Sequence, residues 1–264
     1  MAAVVLLVAA SVFPLYWALV SSITPESRLF EAPALVPSRV TLDHYRALFA
    51  HRDFLTPIKN SLVVAASTTA LCVAVGSLCA YALARLEFRG KTPLLAFVLA
   101  VSMFPQITVV SPLYLVLREL GLIDTYPGLV FPYVTFAMPL TVWLLVGFFR
   151  QLPRELEEAA MVDGAGRLRI FWAIILPLAL PGLATTAILT FVYCWNEFLF
   201  ALSFTVGPDR QTVPVAIALL RGQYQVPWGQ ILAATVVATA PVAALVLLFQ
   251  RRIVRGLTAG AVKG

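Results

Sequence analysis

Residues 61–84 read SLVVAASTTALCVAVGSLCAYALA, a run without a single charge that ends at Arg85. A bilayer core about 30 Å thick is crossed by roughly 20 consecutive apolar residues wound as a helix, because no water is present there to satisfy a loose backbone. The run therefore predicts a spanning helix. Five more charge-free runs reach that length, at 1–25, 92–117, 125–149, 170–196 and 222–250. The chain is 61% hydrophobic and only 12% charged, whereas a soluble domain is roughly half apolar and about a quarter charged. An all-α integral membrane fold with six transmembrane helices follows. The fifth helix is expected to continue past Glu197, because 198–206 is again uncharged, and that carboxylate then sits within the membrane.

Lys and Arg concentrate in cytoplasmic loops, so the formal net charge of +6 is read first as topology. Arg85, Arg89 and Lys91 follow the second run, Arg150, Arg154, Arg167 and Arg169 follow the fourth, and Arg251, Arg252, Arg255 and Lys263 lie in the tail 251–264. These segments are expected inside. The loop after the third run carries only Arg118, and that after the fifth, 207–228, only Arg210 and Arg221. The mixed segment 23–59 is long enough to translocate despite its charges. Both termini are then cytoplasmic, and the basic balance points to membrane lipid rather than to nucleic acid. Met1 is followed at once by apolar residues, which fits a start downstream of the natural one; a cleaved signal peptide competes, but its apolar region is too long and its lead uncharged.

A single membrane domain is expected over 1–264, with no linker, internal repeat or appended soluble domain, so any energy source resides in another chain. Pro14, Pro105, Pro112, Pro132, Pro139 and Pro241 fall within the runs; they either kink helices for packing or border a cavity or hinge. Gly76 and Ala80 have the small-xxx-small spacing of closely packed membrane helices. Cys72, Cys79 and Cys194 lie inside the runs without a CxxC pair and read as packing residues rather than metal ligands. His44 and His51 are too isolated for catalysis or ligation. No metal site and no catalytic residue is assigned.

The segment 150–169 has a different pattern. Pro153 suits a first helical turn, and Glu155, Glu157 and Glu158 complement the helix dipole at that end. Leu152, Leu156, Ala159 and Ala160 fall on one face. Asp163 and Gly164 supply a turn, since glycine accepts a left-handed backbone. A second helix follows, with Leu168, Phe171, Trp172 and Ile175 spaced as a stripe for the membrane boundary or for neighbouring helices. Pro177 and Pro181 separate it from the fifth span. A rigid projection of this shape suits a groove on a partner.

Glu158, Ala159, Ala160, Asp163, Gly164 and Ala165, followed by Ile174, Leu176 and Pro177, resemble the EAA motif of binding-protein-dependent ABC import permeases, E-A-A-x-x-D-G-A and then I-x-L-P. The resemblance implies a type I importer permease fold in which 150–169 is a cytoplasmic coupling helix seated in an ATPase subunit. Phe191, Trp195, Asn196, Glu197 and Phe198 resemble the F-x-x-x-W-N-[ED]-F pattern of carbohydrate permeases, and the tail resembles that of the maltose and trehalose type. Segment order agrees along essentially the whole chain, which looks like the six-helix second permease of a heterodimeric pair. The implied partners are a homologous permease, two ATPase subunits that hold ATP and Mg, and an extracytoplasmic sugar-binding protein, in a bacterial-type plasma (inner) membrane. This subunit is implied to bind no cofactor and to do no covalent chemistry. Gly90, Lys91 and Thr92 look like the end of a P-loop, but Arg85 stands where its first glycine is required.

Two readings of Glu197 stay open. An ionisable group in a span is costly and faces a protein interior or a watery path, so Trp195, Asn196 and Glu197 either line a sugar path or serve structure, with Trp195 as an interfacial belt residue. Gln223, Tyr224 and Gln225 in the outer loop either reach into the docked binding protein, as the family suggests, or are solvated. The tail either contacts the ATPase pair or frays. Three rivals are permeases for another small solute, an ion-coupled transporter and a membrane scaffold; an ion-coupled protein should carry ionisable residues in several spans, and only Glu197 is a candidate.

Overall fold

A computed structural model describes residues 1–31, 35–37, 39–51, 53–222 and 226–259. In chain order its helices are α1 (Ala2–Ser22), α2 (Asp43–His51), α3 (Leu55–Arg85), α4 (Lys91–Ser102), α5 (Gln106–Glu119), α6 (Tyr126–Gln151), α7 (Glu155–Val162), α8 (Arg167–Ile170), α9 (Leu176–Leu178), α10 (Leu180–Trp195), α11 (Leu199–Phe204), α12 (Val213–Ala218) and α13 (Trp228–Ala259). A π-turn, Phe171–Ile175, joins α8 to α9.

α1, α3, α6 and the Trp228–Gln250 part of α13 are each long and apolar enough to cross a bilayer in one piece. Two further spans are bent, α4 with α5 by 89° and Arg167–Leu178 with α10 by 76°. Each bent pair taken as one span gives six, as the charge-free runs require. The second bend lies where Pro177 and Pro181 were expected to separate the helix from the fifth span, whereas the first was not expected. Pro105 causes the first, because it has no N–H to donate and adopts an extended backbone, φ −62° and ψ 119°, just ahead of α5. Pro14, Pro112, Pro132, Pro139 and Pro241 instead lie inside continuous helices. The second bend falls at Ala179, between the π-turn and Pro181.

The chain packs as two compact units, Met1–Ser61 with Thr205–Ala244, and Leu62–Phe204 with Leu245–Gly264. In the first, Asn60 donates to the carbonyls of Asp209 and Gln211, both at 2.9 Å, and the Ser61 hydroxyl accepts from the Val213 N–H at 2.8 Å. His44, expected to be idle, is buried there with its Nε2 2.9 Å from the Thr24 carbonyl. Glu26 accepts from the Gly229 N–H at 3.0 Å, and a Cβ at Gly229 would collide with the His44 ring.

The second unit has its core where α3, α6 and the 170–175 segment meet, around Ala80, Tyr81, Leu145, Phe149, Phe171 and Ile175. Gly76 permits the close approach of α3 to α6 that its spacing from Ala80 predicts: an added Cβ would lie 3.1 Å from Thr141 Cγ2 and 3.3 Å from Met138 Sδ. Thr141 and Thr190 share a hydrogen bond of 2.9 Å between α6 and α10. Cys72 and Cys194 are buried, as packing residues should be.

The fifth helix does not run on past Glu197. α10 ends at Trp195, and α11 starts afresh at Leu199. The Glu197 carboxylate accepts from the N–H groups of Phe200 at 2.8 Å and Ala201 at 3.1 Å, which are among the orphan donors that any helix start must satisfy.

Candidate functional site

α7 begins at Glu155, with Arg154 at its cap and Pro153 just ahead, and carries Glu155, Glu157 and Glu158 in its first turn, where negative charge offsets the dipole. It ends in a Schellman arrangement: Ala165 N–H donates to the Ala160 carbonyl at 2.9 Å and Gly164 N–H to that of Met161 at 3.0 Å. That geometry needs a left-handed residue, and Gly164 supplies it with φ +78°. No atom lies within 4 Å of where a Gly164 Cβ would stand. The glycine therefore serves the backbone turn.

Of Leu152, Leu156, Ala159 and Ala160, which share one face, Ala160 joins the core and Leu152 packs against it. Glu157 and Ala160 are the buried residues of the helix, while Leu156 and Ala159 are exposed. The reason is an ion pair. Arg85, read from the sequence only as a cytoplasmic-side positive charge, closes α3 with its side chain only 3% exposed, and its Nε lies 3.0 Å from Glu157 Oε1. The Arg85 guanidinium also donates to the Leu152 carbonyl, and Tyr81 donates its hydroxyl to Glu157 Oε2 at 3.2 Å. Tyr81 in turn packs tilted against Phe171 and edge-on to Phe149. A charge removed from water in this way persists only when paired and hydrogen-bonded, so the pair fixes the rotation of α7 about its own axis. Sequence reasoning missed both partners.

With Glu157 and Ala160 turned inward, Leu156, Glu158, Ala159, Met161, Val162, Asp163 and Gly164 point outward. Val162, at the tip, is 88% exposed, and Leu156 and Met161 are exposed beside it. These exposed apolar side chains stand together on the capped helix end. Of the motif residues, Glu158, Ala159, Asp163 and Gly164 lie on this surface, Ala165 is half-buried, and Ala160 belongs to the anchoring core. The expected stripe beyond the turn is split by the π-turn: Phe171 and Ile175 are buried, Leu168 and Trp172 exposed.

The second group, Trp195, Asn196 and Glu197, is brought together at the break between α10 and α11. Trp195 is buried and stacks on Phe191 with ring centroids 5.8 Å apart. Asn196 donates back to the Val192 carbonyl at 2.7 Å, and Glu197 caps α11. Gln223, Tyr224 and Gln225 lie outside the described residues.

Residues 72–259 match the family of binding-protein-dependent transport system inner membrane components. The trehalose transport system permease protein SugB of Mycobacterium tuberculosis is 46% identical over 261 residues, 98% of this chain and 95% of that protein. The trehalose/maltose transport system permease protein MalG of Thermococcus litoralis is 44% identical over 255 residues, 96% of this chain and 91% of that protein. In fold, the chain is similar to a solved bacterial ABC transporter involved in the import of the acidic polysaccharide alginate, with a TM-score of 0.75 at 21% identity, covering 95% of this chain and 93% of that one. The all-α architecture, the capped α7 projection and these near-full-length matches agree: this multi-pass membrane protein belongs to the binding-protein-dependent transport system inner membrane components, with the type I ABC importer permease fold.

Proposed function

We propose that this chain is one of two homologous permease subunits of an importer that carries a sugar, of the trehalose or maltose kind, into the cytoplasm. Two separate ATPase subunits hold ATP and Mg and supply the energy; an extracytoplasmic sugar-binding protein delivers the cargo. In this reading both termini and the α7 projection lie on the cytoplasmic side, and α7 seats its Leu156, Met161 and Val162 surface in an ATPase subunit. The observation that carries the reading is the anchored tip. Because the Arg85–Glu157 pair ties α7 to the last turn of α3, a push on the tip is passed to a spanning helix rather than lost in a loop. Closure of the ATPase pair thereby switches the path between the two permease subunits from inward to outward access. The sugar class rests on the relatives, whose names specify trehalose and trehalose/maltose.

The test is reconstitution of this chain with its partner permease, the ATPase pair and the binding protein in proteoliposomes. Trehalose uptake should require ATP and the binding protein, and cross-links from Val162→Cys should land on the ATPase subunit. Uptake by this chain alone, driven by an ion gradient without ATP, would overturn the reading.

A further inference from the structure

A cavity of about 360 Å³ opens in the second unit beside the break between α4 and α5. Its polar groups are Gln106 at the start of α5, Ser102 at the end of α4 and Tyr193 on α10; Trp143 and Phe136 of α6 wall it. We propose that this cavity is a sugar subsite on this chain, in which the Gln106 amide and Tyr193 hydroxyl bind the hydroxyls of a neutral saccharide and Trp143 receives its apolar C–H face. The proposal rests on the permease reading above and deepens it by placing substrate contact on this subunit.

Three independent features lead there. Polar side chains in membrane spans are costly unless they face protein or a watery path, yet Gln106 and Tyr193 meet at 2.9 Å, with the amide N–H donating to the phenol oxygen. An amide has two N–H donors and a carbonyl acceptor, so this one bond orients Gln106 and leaves the other N–H and the carbonyl for a ligand. The helix also breaks at the cavity: Ser102 and Gln106 flank the bend at Pro105, and irregular backbone at membrane depth belongs where it lines a cavity or is covered by protein. Ser102 donates its hydroxyl to the Leu99 carbonyl at 2.6 Å, which leaves its oxygen able to serve a ligand as an acceptor. Finally, the chemistry is that of a neutral polyol. The lining contains an amide, two hydroxyls and aromatic rings but no carboxylate, ammonium or guanidinium, and the volume is at the small end of the roughly 300–1,000 Å³ typical of ligand pockets. The Trp143 indole is exposed rather than packed away, with an apolar face available for stacking.

The cavity is a second candidate beside Trp195, Asn196 and Glu197, for which a sugar path is one of two open readings. Glu197 and its neighbours are consumed by the start of α11 and the end of α10, whereas Gln106 and Tyr193 keep hydrogen-bonding capacity toward open space.

The experiment uses the complete assembly in proteoliposomes with the binding protein, and trehalose as probe. Ser102→Cys is labelled with a water-soluble thiol reagent during ATP-driven turnover, with and without trehalose, and uptake is measured for Gln106→Leu. Labelling should slow at least about three-fold with sugar, and Gln106→Leu should reduce uptake about five-fold, the scale of losing one or two hydrogen bonds. If Gln106→Leu fails to assemble, sugar protection of the cysteine decides, since a merely structural Gln106 gives no protection. Sugar-independent labelling, or wild-type uptake by an assembled Gln106→Leu transporter, overturns the subsite and leaves the permease reading standing. A wild-type assembly that moves no trehalose, maltose or other disaccharide sinks the sugar reading and this site with it.

Discussion

Arg85 and Glu157 form a buried ion pair, 3.0 Å from Nε to Oε1, between the last residue of one spanning helix and the first turn of the projecting helix. Removing one member of such a pair strands the other without water and costs about 3–5 kcal/mol, whereas replacing both with apolar residues of similar volume is often neutral or stabilising. Arg85→Met or Glu157→Met alone should therefore loosen α7, read as faster proteolysis within 150–169 and weaker ATPase coupling. The double variant should recover much of the loss. Single variants indistinguishable from wild type would mean the pair does not hold the helix.

Gly164 separates backbone strain from contact. Its φ of +78° is unfavourable for residues with a Cβ, but the space around it is open, so the whole cost of a substitution is conformational, about 1–2 kcal/mol for an ordinary residue and more for a β-branched one. Asparagine enters this region more readily than other non-glycine residues. Gly164→Asn should couple ATP hydrolysis to uptake better than Gly164→Ala, and Gly164→Val worst. A ranking by side-chain volume alone, with Ala best, would show that crowding at the docking surface is decisive instead.

The spans and the projection were legible because both signals are local: charge-free length for the helices, and E-A-A with D-G at fixed spacing for α7. What escaped depends on distance. The positive-inside rule identifies Arg85 as basic but cannot say that Glu157, far along the chain, takes it out of solvent. Glu158 is the motif carboxylate, yet its neighbour Glu157 carries the anchor, and one helical residue of rotation decides between them. Hydropathy reads 92–117 as a single run, since a proline hardly alters an average while it does remove a donor; in 170–196 Pro177 and Pro181 did mark the break. Gln106 was invisible for the same reason, an isolated amide in an apolar run whose partner Tyr193 lies on another span. A signal for Glu197 did exist: an acidic residue directly before a renewed apolar run is a helix-start pattern as much as a path residue.

Glu197 thus offers a direct choice between its two readings. As a cap, its loss in Glu197→Ala should cost about 1 kcal/mol, seen as a lower melting temperature of the assembled complex. Glu197→Gln retains a carbonyl acceptor for the Phe200 or Ala201 N–H and should stay close to wild type in both stability and uptake. Were the charge itself part of the sugar path, Glu197→Gln would impair uptake at unchanged stability.

Gly182 tests the packing of α10 on α6 independently of any charge. A Cβ there would lie 2.5 Å from Cγ and 2.7 Å from Cδ1 of Phe148, far inside van der Waals contact, and the atoms struck are the root of an aromatic ring rather than a flexible tip. Overpacking of this kind typically costs about 1–3 kcal/mol. Gly182→Ala should lower the thermal stability of the complex, and Phe148→Ala, which removes Cγ and the ring, should relieve the clash, so that the double variant loses less than the sum of the two single losses. Independent, additive losses would show that α10 retreats from α6 rather than pressing on that ring.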